Sequence, residues 1–206
     1  MNIVCISDTH MTKPTLPDGD LLIHAGDLTY GGRPFELGQQ RRWLSEQMHR
    51  HKVVIPGNHD WGFEQEFVRY RDEFALDGIT VLNDSGITIE GVKIWGSPIS
   101  PTFCNWAFNR NRGEQIRYHW DLIPYDTEVL ITHGPPNGIM DNVGKGRVGC
   151  EDLLARIKSL KHLKLHIFGH VHDPHGERNA FGIRFVNASM LDDNYKESFK
   201  PICLTL

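Results

Sequence analysis

Five short stretches of this 206-residue chain carry side chains of the kind that bind divalent metals, and each directly follows a run that reads as a buried strand. Asp8-Thr9-His10 follows the first run, Gly26-Asp27 the second and Gly57-Asn58-His59-Asp60 the third. Thr132-His133-Gly134 and Gly169-His170-Val171-His172 follow two later ones. In open α/β sheets sites form at the carboxyl ends of strands, so residues distant in sequence converge on one crevice. Residues two apart on an extended segment share a side, so Asp8 with His10, and His170 with His172, are expected to act as pincers while Thr9 and Val171 face away. Adjacent residues diverge, which assigns Asn58 and His59 different jobs, one gripping a metal and the other reaching past it. Gly26, Gly57, Gly134 and Gly169 permit the close backbone approach this convergence needs.

The donor types limit the chemistry. Carboxylate, imidazole and amide oxygen, with no thiolate, suit Mn, Fe, Zn, Co or Ni and disfavour a Cys-rich structural zinc. Seven candidates, Asp8, His10, Asp27, Asn58, His133, His170 and His172, exceed the four of a closed structural site, and two divalent ions sharing Asp27 fit them. Two such ions bring four positive charges against two carboxylates, so even with one bridging hydroxide the site stays positive and attracts an anion.

The elements that must position these residues are legible in outline. The spacing predicts strands over 2–7, 20–25 and 52–55 alternating with a helix over 35–49, whose apolar Leu37, Trp43, Leu44 and Met48 form one core stripe. That alternation reads as buried, parallel β-α-β structure. A helix over 62–74 and strands over 80–82, 85–89 and 92–95 follow, with Glu90-Gly91 as a hairpin turn. Helices over 112–122 and 150–159, strands over 128–132 and 163–168, and antiparallel pieces over 181–187 and 202–206 complete a mixed α/β fold. With 39% hydrophobic residues, no repeat and no linker, one domain over 1–206 is expected. The longest apolar runs fall far short of the ~18 residues a membrane helix needs, and the N-terminus lacks the basic and apolar regions of a signal peptide, so a cytoplasmic protein away from membranes is expected. Net charge −4 without a basic cluster argues against a long nucleic acid as partner. Cys5, Cys104, Cys150 and Cys203 are too scattered for a C-x-x-C pair.

In order, D-x-H (Asp8, His10), G-D (Gly26, Asp27), G-N-H-D (57–60), H (His133) and G-H-x-H (169–172) resemble the calcineurin-like metallophosphoesterase superfamily over positions 8 to 172. Ile6-Ser7-Asp8-Thr9-His10, His24-Ala25-Gly26-Asp27, Thr132-His133-Gly134-Pro135-Pro136 and Asn187-Ala188-Ser189 are similar to the metallophosphoesterase-domain-containing proteins, related to class III cyclic nucleotide phosphodiesterases. The resemblance implies a four-layer fold, a β-sandwich of mixed sheets flanked by helices, around a dinuclear centre. One metal would take Asp8, His10, Asp27 and His172, and the other Asp27, Asn58, His133 and His170. A metal-bridging hydroxide would then hydrolyse a small phosphodiester, with 2′,3′- or 3′,5′-cyclic nucleotides as candidates and Mn as the assay metal of choice. His59 would steady a phosphoryl oxygen or protonate the leaving alkoxide, and Asp60 would orient an imidazole or serve as a helix N-cap.

Other readings stand beside these. A phosphomonoesterase or nucleotide pyrophosphatase would use the same metals, and a non-catalytic metal-dependent scaffold would keep the fold without needing His59. Trp106, Phe108, Asn109 and Arg112 are candidates for a nucleobase and phosphate pocket, while the aromatics near Trp106 could equally serve a homo-oligomer interface. His24 reads as a core histidine and His175 as an exposed loop residue. Gly144-Lys145-Gly146-Arg147-Val148-Gly149 spells G-x-G-x-x-G, but no strand feeds into it, so it reads as a loop and helix entry.

Overall fold

Every residue of the strand β1 (Asn2–Ile6) after the first is buried, because the strand is covered on both faces. Val4 and Ile6 pack into a core shared with helices, whereas Ile3 and Cys5 point into a second core built from strands and the turns beside them. The computed structural model, which describes residues 1–144 and 146–206, repeats this two-sided burial in its central strands. Lys145, in the G-x-G-x-x-G stretch, lies outside the described residues.

After β1 come β2 (Leu21–His24), α1 (Pro34–Ser45), β3 (His51–Val54), α2 (Trp61–Gln65), α3 (Phe67–Leu76) and β4 (Ile79–Val81). The hairpin β5 (Ser85–Ile89) and β6 (Val92–Ser97) follows, then the short pair β7 (Ser100–Pro101) and β8 (Asn109–Arg110), and α4 (Glu114–Asp121). The chain finishes with β9 (Val129–Thr132), α5 (Glu151–Ser159), β10 (Leu165–Phe168), β11 (Gly176–Ala180), β12 (Ile183–Asn187) and β13 (Ile202–Thr205).

Two large sheets result. One has the order β13-β1-β2-β3-β4, with β1 to β4 parallel and β13 antiparallel on the edge. The other runs β11-β12-β10-β9-β6-β5, parallel through β12, β10, β9 and β6 and antiparallel at both edges. Ile23 and Val53 from the first sheet meet Ile131 and Ile167 from the second in the strand-lined core, while α1, α2, α3, α4 and α5 cover the outer faces. This is the sandwich of mixed sheets flanked by helices expected from the motifs. Among the described residues no helix is long and apolar enough to cross a membrane.

Several boundaries move. The expected helix over 35–49 stops at Ser45, because the chain must turn to enter β3 at His51, and Met48 lies outside the helix, 90% exposed. Its core stripe is therefore Leu37, Gln40, Trp43 and Leu44. The helix over 62–74 is two helices, broken where Glu66 adopts φ −134° and ψ 50°, although Phe63 still packs on Phe67 and Phe74. The C-terminal strand over 181–187 begins at Ile183 and pairs in parallel with β10. Phe181 and Gly182, both at positive φ, form the turn that reverses the chain after β11. Glu90 and Gly91 also have positive φ, the geometry of a two-residue hairpin turn that matches strand twist.

Candidate metal centre

Because β1, β2 and β3 are parallel neighbours in one sheet and β9 and β10 in the other, their carboxyl ends deliver five loops to one edge of the sandwich. There Asp8, His10 and His172 form one group with ligand atoms within 4.8 Å of each other, and Asp27, His133 and His170 form another. His10, Asp27 and His59 make a third group that joins the first two. Asp27 Oδ2 is the hub, 3.4 Å from His133 Nε2, 3.7 Å from His10 Nε2 and 3.9 Å from His59 Nε2. Asn58 Oδ1 lies 2.8 Å from His133 Nε2, and His172 Nε2 is 3.7 Å from Asp8 Oδ1. All seven sequence candidates are thus brought together.

The loops achieve this by a route other than the extended pincer. Asp8, His10, Asp27 and His170 have φ of 52°, 39°, 56° and 68°, so the segments turn in the left-handed region. Such residues cost roughly 1–2 kcal/mol each, and they persist because the surrounding contacts hold them. Asp8 carboxylate oxygens accept the His170 N–H at 3.0 Å, and Asp27 Oδ1 accepts the His59 N–H at 2.8 Å. Thr9 turns away as expected and meets His24 Nε2 at 2.9 Å, but Val171 borders the cleft. Gly169 packs so tightly on Ser7 and the Asp8 carboxylate, and Gly57 on Asp27, that neither has room for a Cβ.

Four imidazoles are aimed by backbone carbonyls. Nδ1 of His10 faces Thr29 O at 3.1 Å, that of His59 faces Tyr30 O at 2.9 Å, that of His133 faces Ala25 O at 3.0 Å, and that of His172 faces Asp192 O at 3.0 Å. A carbonyl can only accept, so each Nδ1 carries a proton and each Nε2 is the nitrogen left to face the site. His10 Nε2 is buried without a hydrogen-bond partner, a costly arrangement for a polar atom unless a cation accepts its lone pair. The residues present therefore fit a metal.

Charge follows the same logic. Burial alone would raise the Asp27 carboxyl, yet the His133 charge and hydrogen bond, with His10 and His59 beside them, hold it below the usual carboxylate range. Burial works against a charge on His133 too, but Asp27 more than offsets it and its pKa rises to about 9. Burial pushes His10 down, and burial with the His133 charge pushes His170 down to about 4. The proton trapped between His133 and Asp27 is what a bound cation would displace.

Asp60 departs from its expected role. Its oxygens accept from the backbone N–H of Gly57, Leu28 and Thr29 and from Thr29 Oγ1, leaving it no imidazole to orient. It occupies the N-cap position of α2 without a side-chain cap bond and instead ties the loop after β2 to the loop after β3. His24 is a buried core histidine that pairs through Nε2 with Thr9 and accepts the Gly26 N–H through Nδ1. His175 is half-buried, not a free loop residue, because its ring stacks on Phe199 at 4.7 Å and Nδ1 faces Ser189 O.

A cleft of about 490 Å³ opens onto these ligands, lined also by Trp106, Phe103, Arg112, Arg147 and Tyr195. Trp106 tilts onto the His59 ring at 4.1 Å. Arg112 borders the cleft, but its guanidinium donates to Gly149 O, Val148 O and Glu151, strapping the loop that enters α5. Asn109 does not line the cleft, because its amide bonds with Ser100 Oγ, Ala107 O and the Phe103 N–H. Phe108 is core. Sequence reasoning missed Tyr30 and Tyr195, which pack on His10 at 5.5 and 5.0 Å, and Asp192, whose carbonyl aims His172. No motif spacing marks these three. Burial, then the charges of Asp27 and Asp8, raise the Tyr195 pKa and keep its phenol protonated.

The comparisons with known proteins agree with this geometry. Residues 1–174 match the family model described as calcineurin-like phosphoesterase. The human metallophosphoesterase domain-containing protein 1 is 39% identical over 98% of this chain and 70% of its own length. A UPF0046 protein of Caenorhabditis elegans is 38% identical over 98% of this chain and 74% of its own. In fold, the chain is similar to phosphopantetheinyl hydrolase from Mycobacterium tuberculosis, with TM-score 0.63 and 15% identity over 94% of this chain and 90% of that one. A solved archaeal phosphodiesterase superposes with TM-score 0.50 and 14% identity, covering 99% of this chain and 100% of that one.

Proposed function

This chain belongs to the calcineurin-like phosphoesterase family and is a metal-dependent hydrolase; from that premise we propose that it is a two-metal phosphodiesterase acting on a small phosphodiester, with 2′,3′- and 3′,5′-cyclic nucleotides as candidates. The observation that carries this reading is Asp27, whose Oδ2 has imidazole Nε2 atoms of both ligand groups within 3.7 Å and which would so be the residue available to both cations. Asp8, His10, Asp27 and His172 would hold one cation, and Asp27, Asn58, His133 and His170 the other. Lewis acidity at the phosphoryl oxygens and acidification of a water are what such a pair supplies when bound.

The chain's own residues account for the rest. Two carboxylates among seven ligands leave the loaded site positive, which draws a phosphate diester into the cleft. His59 is held by the Tyr30 carbonyl at Nδ1 and by Trp106 across its face, so Nε2 points at the site and holds or delivers a proton to the leaving oxygen. The apolar wall of Trp106, Phe103 and Val143 supports a substrate with an organic substituent beyond the phosphoryl group, the feature that separates a diester from phosphate itself. A net charge of −4 supports a small partner over a long nucleic acid.

The test is steady-state hydrolysis of bis-p-nitrophenyl phosphate and p-nitrophenyl phosphate by metal-stripped protein reconstituted with Mn²⁺, with His59→Ala and Asp27→Ala alongside. Mn-dependent preference for the diester, lost in both variants, is expected. Preference for the monoester would contradict the diesterase reading.

A further inference from the structure

We propose that Tyr195 is a further catalytic residue of this centre, its phenol donating a hydrogen bond to a non-bridging phosphoryl oxygen of the bound substrate. The inference rests on the phosphoesterase reading above and concerns a residue outside both the five motifs and the stretch matched by the family model.

Three observations carry it. First, the ring packs edge-on against two ligand histidines, at 5.0 Å from His10 and 5.1 Å from His172, and borders the same cleft as Asp27, Asn58, His59 and His170. His59 packs on His10 as well, at 4.7 Å, so both side chains flank the site on one shared ring. Tyr195 remains 47% exposed, and no described residue takes a hydrogen bond from its hydroxyl. It is thus a donor at the mouth of an anion site with its hydrogen bond uncommitted.

Second, its backbone has φ 58°, a conformation that an aromatic residue rarely adopts and that turns its ring toward the metal ligands. Third, the turn that imposes this conformation is built onto the metal centre. The Asp192 carbonyl accepts both the Tyr195 N–H at 2.9 Å and Nδ1 of His172 at 3.0 Å. The Asp192 carboxylate then closes the turn by accepting from the N–H groups of Asn194 and Lys196 and from Ser198 Oγ. One residue therefore fixes a metal ligand and the tyrosine in register. A tyrosine serving only as an apolar lid would need neither a left-handed backbone nor coupling to His172.

No proton transfer is involved. The phenol stays intact and lends its hydrogen to an oxygen whose negative charge grows as phosphorus is attacked, so its contribution is small on the diester monoanion and larger in the transition state and on inorganic phosphate, whose oxygens carry more charge. The deciding comparison is Tyr195→Phe, which keeps the ring and loses the hydroxyl, against wild type and Tyr195→Leu, all reconstituted with Mn²⁺. Two quantities are read: inorganic phosphate affinity by calorimetry, and kcat and KM on bis-p-nitrophenyl phosphate. Phosphate binding about 10-fold weaker in Tyr195→Phe, and kcat lower by about 10- to 100-fold with KM little changed, is expected. Phosphate affinity equal to wild type in Tyr195→Phe would overturn the proposal, whatever Tyr195→Leu does. Hydroxyl-dependent phosphate binding in a wild-type protein that cleaves no diester would support Tyr195 and contradict the diesterase reading instead, so the two fail separately.

Discussion

The His59 imidazole lies on Trp106, with centroids 4.1 Å apart and planes 32° from parallel, while its Nδ1 is committed to the Tyr30 carbonyl. A ring fixed at one nitrogen and one face can present only its other nitrogen to the site. Trp106→Ala removes the face contact and lets the ring rotate, so kcat for diester hydrolysis is expected to fall about 10- to 100-fold. Mn²⁺ affinity, measured by calorimetry, should stay as in wild type. A parallel loss of metal binding would show that Trp106 supports the ligands and not His59.

Gly169 tests the ligand geometry with a residue that has no chemistry of its own. A Cβ there would collide with the Asp8 carboxylate and Ser7. Gly169→Ala is therefore expected to weaken Mn²⁺ binding at least about 10-fold, the scale on which displaced ligand supports act. Gly38→Ala in α1, where a Cβ meets nothing within 4 Å, should bind metal normally and raise stability by ~0.5–1 kcal/mol. Equal metal affinity in the two variants would refute the packing argument.

Asp60 is expected to matter for stability. Its carboxylate satisfies three backbone N–H groups and a hydroxyl in the loops after β2 and β3. Asp60→Ala leaves those donors buried and unpaired, and urea unfolding should report a loss of ~2–4 kcal/mol. A midpoint unchanged from wild type would return Asp60 to the list of candidate chemical residues.

His166 supplies a pH signature from outside the set of candidate ligands. Thr132 Oγ1 donates to Gly134 O, so it must accept from His166 Nε2–H, which leaves Nδ1 bare and buried beside Phe168 and Phe185. Burial pushes its pKa from 6.5 down to about 3. The folded state thus binds fewer protons than the unfolded chain, and the stability this neutral ring contributes is present above pH 6.5 and lost as pH falls toward 3. At pH 5 the loss amounts to ~2 kcal/mol from this ring. The drop in urea midpoint between pH 7 and pH 5 should be smaller by a corresponding amount in His166→Gln. An identical drop in both proteins would show that His166 does not titrate in this way.

The strand ends that carry the ligands were legible because a buried parallel strand announces itself as an apolar run, and the polar residue after it stands out. What hydrophobic pattern does not carry is the sign of φ. The left-handed turns at Asp8, His10, Asp27 and His170 are therefore not readable from it, whereas the placing of these residues at strand ends is. β11 escaped notice because Glu177, Arg178 and Asn179 lie exposed on an edge strand with no alternation to read. Asp60 looked catalytic from its place beside His59, and only the fold reveals that its side chain reaches back to Leu28 and Thr29. Tyr195 and Asp192 lie in an irregular segment whose meaning depends on a contact with His172 twenty residues away.

The most direct test of the account is a titration of metal-stripped protein with Mn²⁺, following bound metal and bis-p-nitrophenyl phosphate hydrolysis together. Hydrolysis should rise to a plateau at two bound equivalents, and Asp27→Ala, lacking the shared oxygen, should bind more weakly and stay inactive across the titration. A plateau reached at one equivalent, or an Asp27→Ala protein that still hydrolyses the diester, would contradict a two-metal centre built on Asp27.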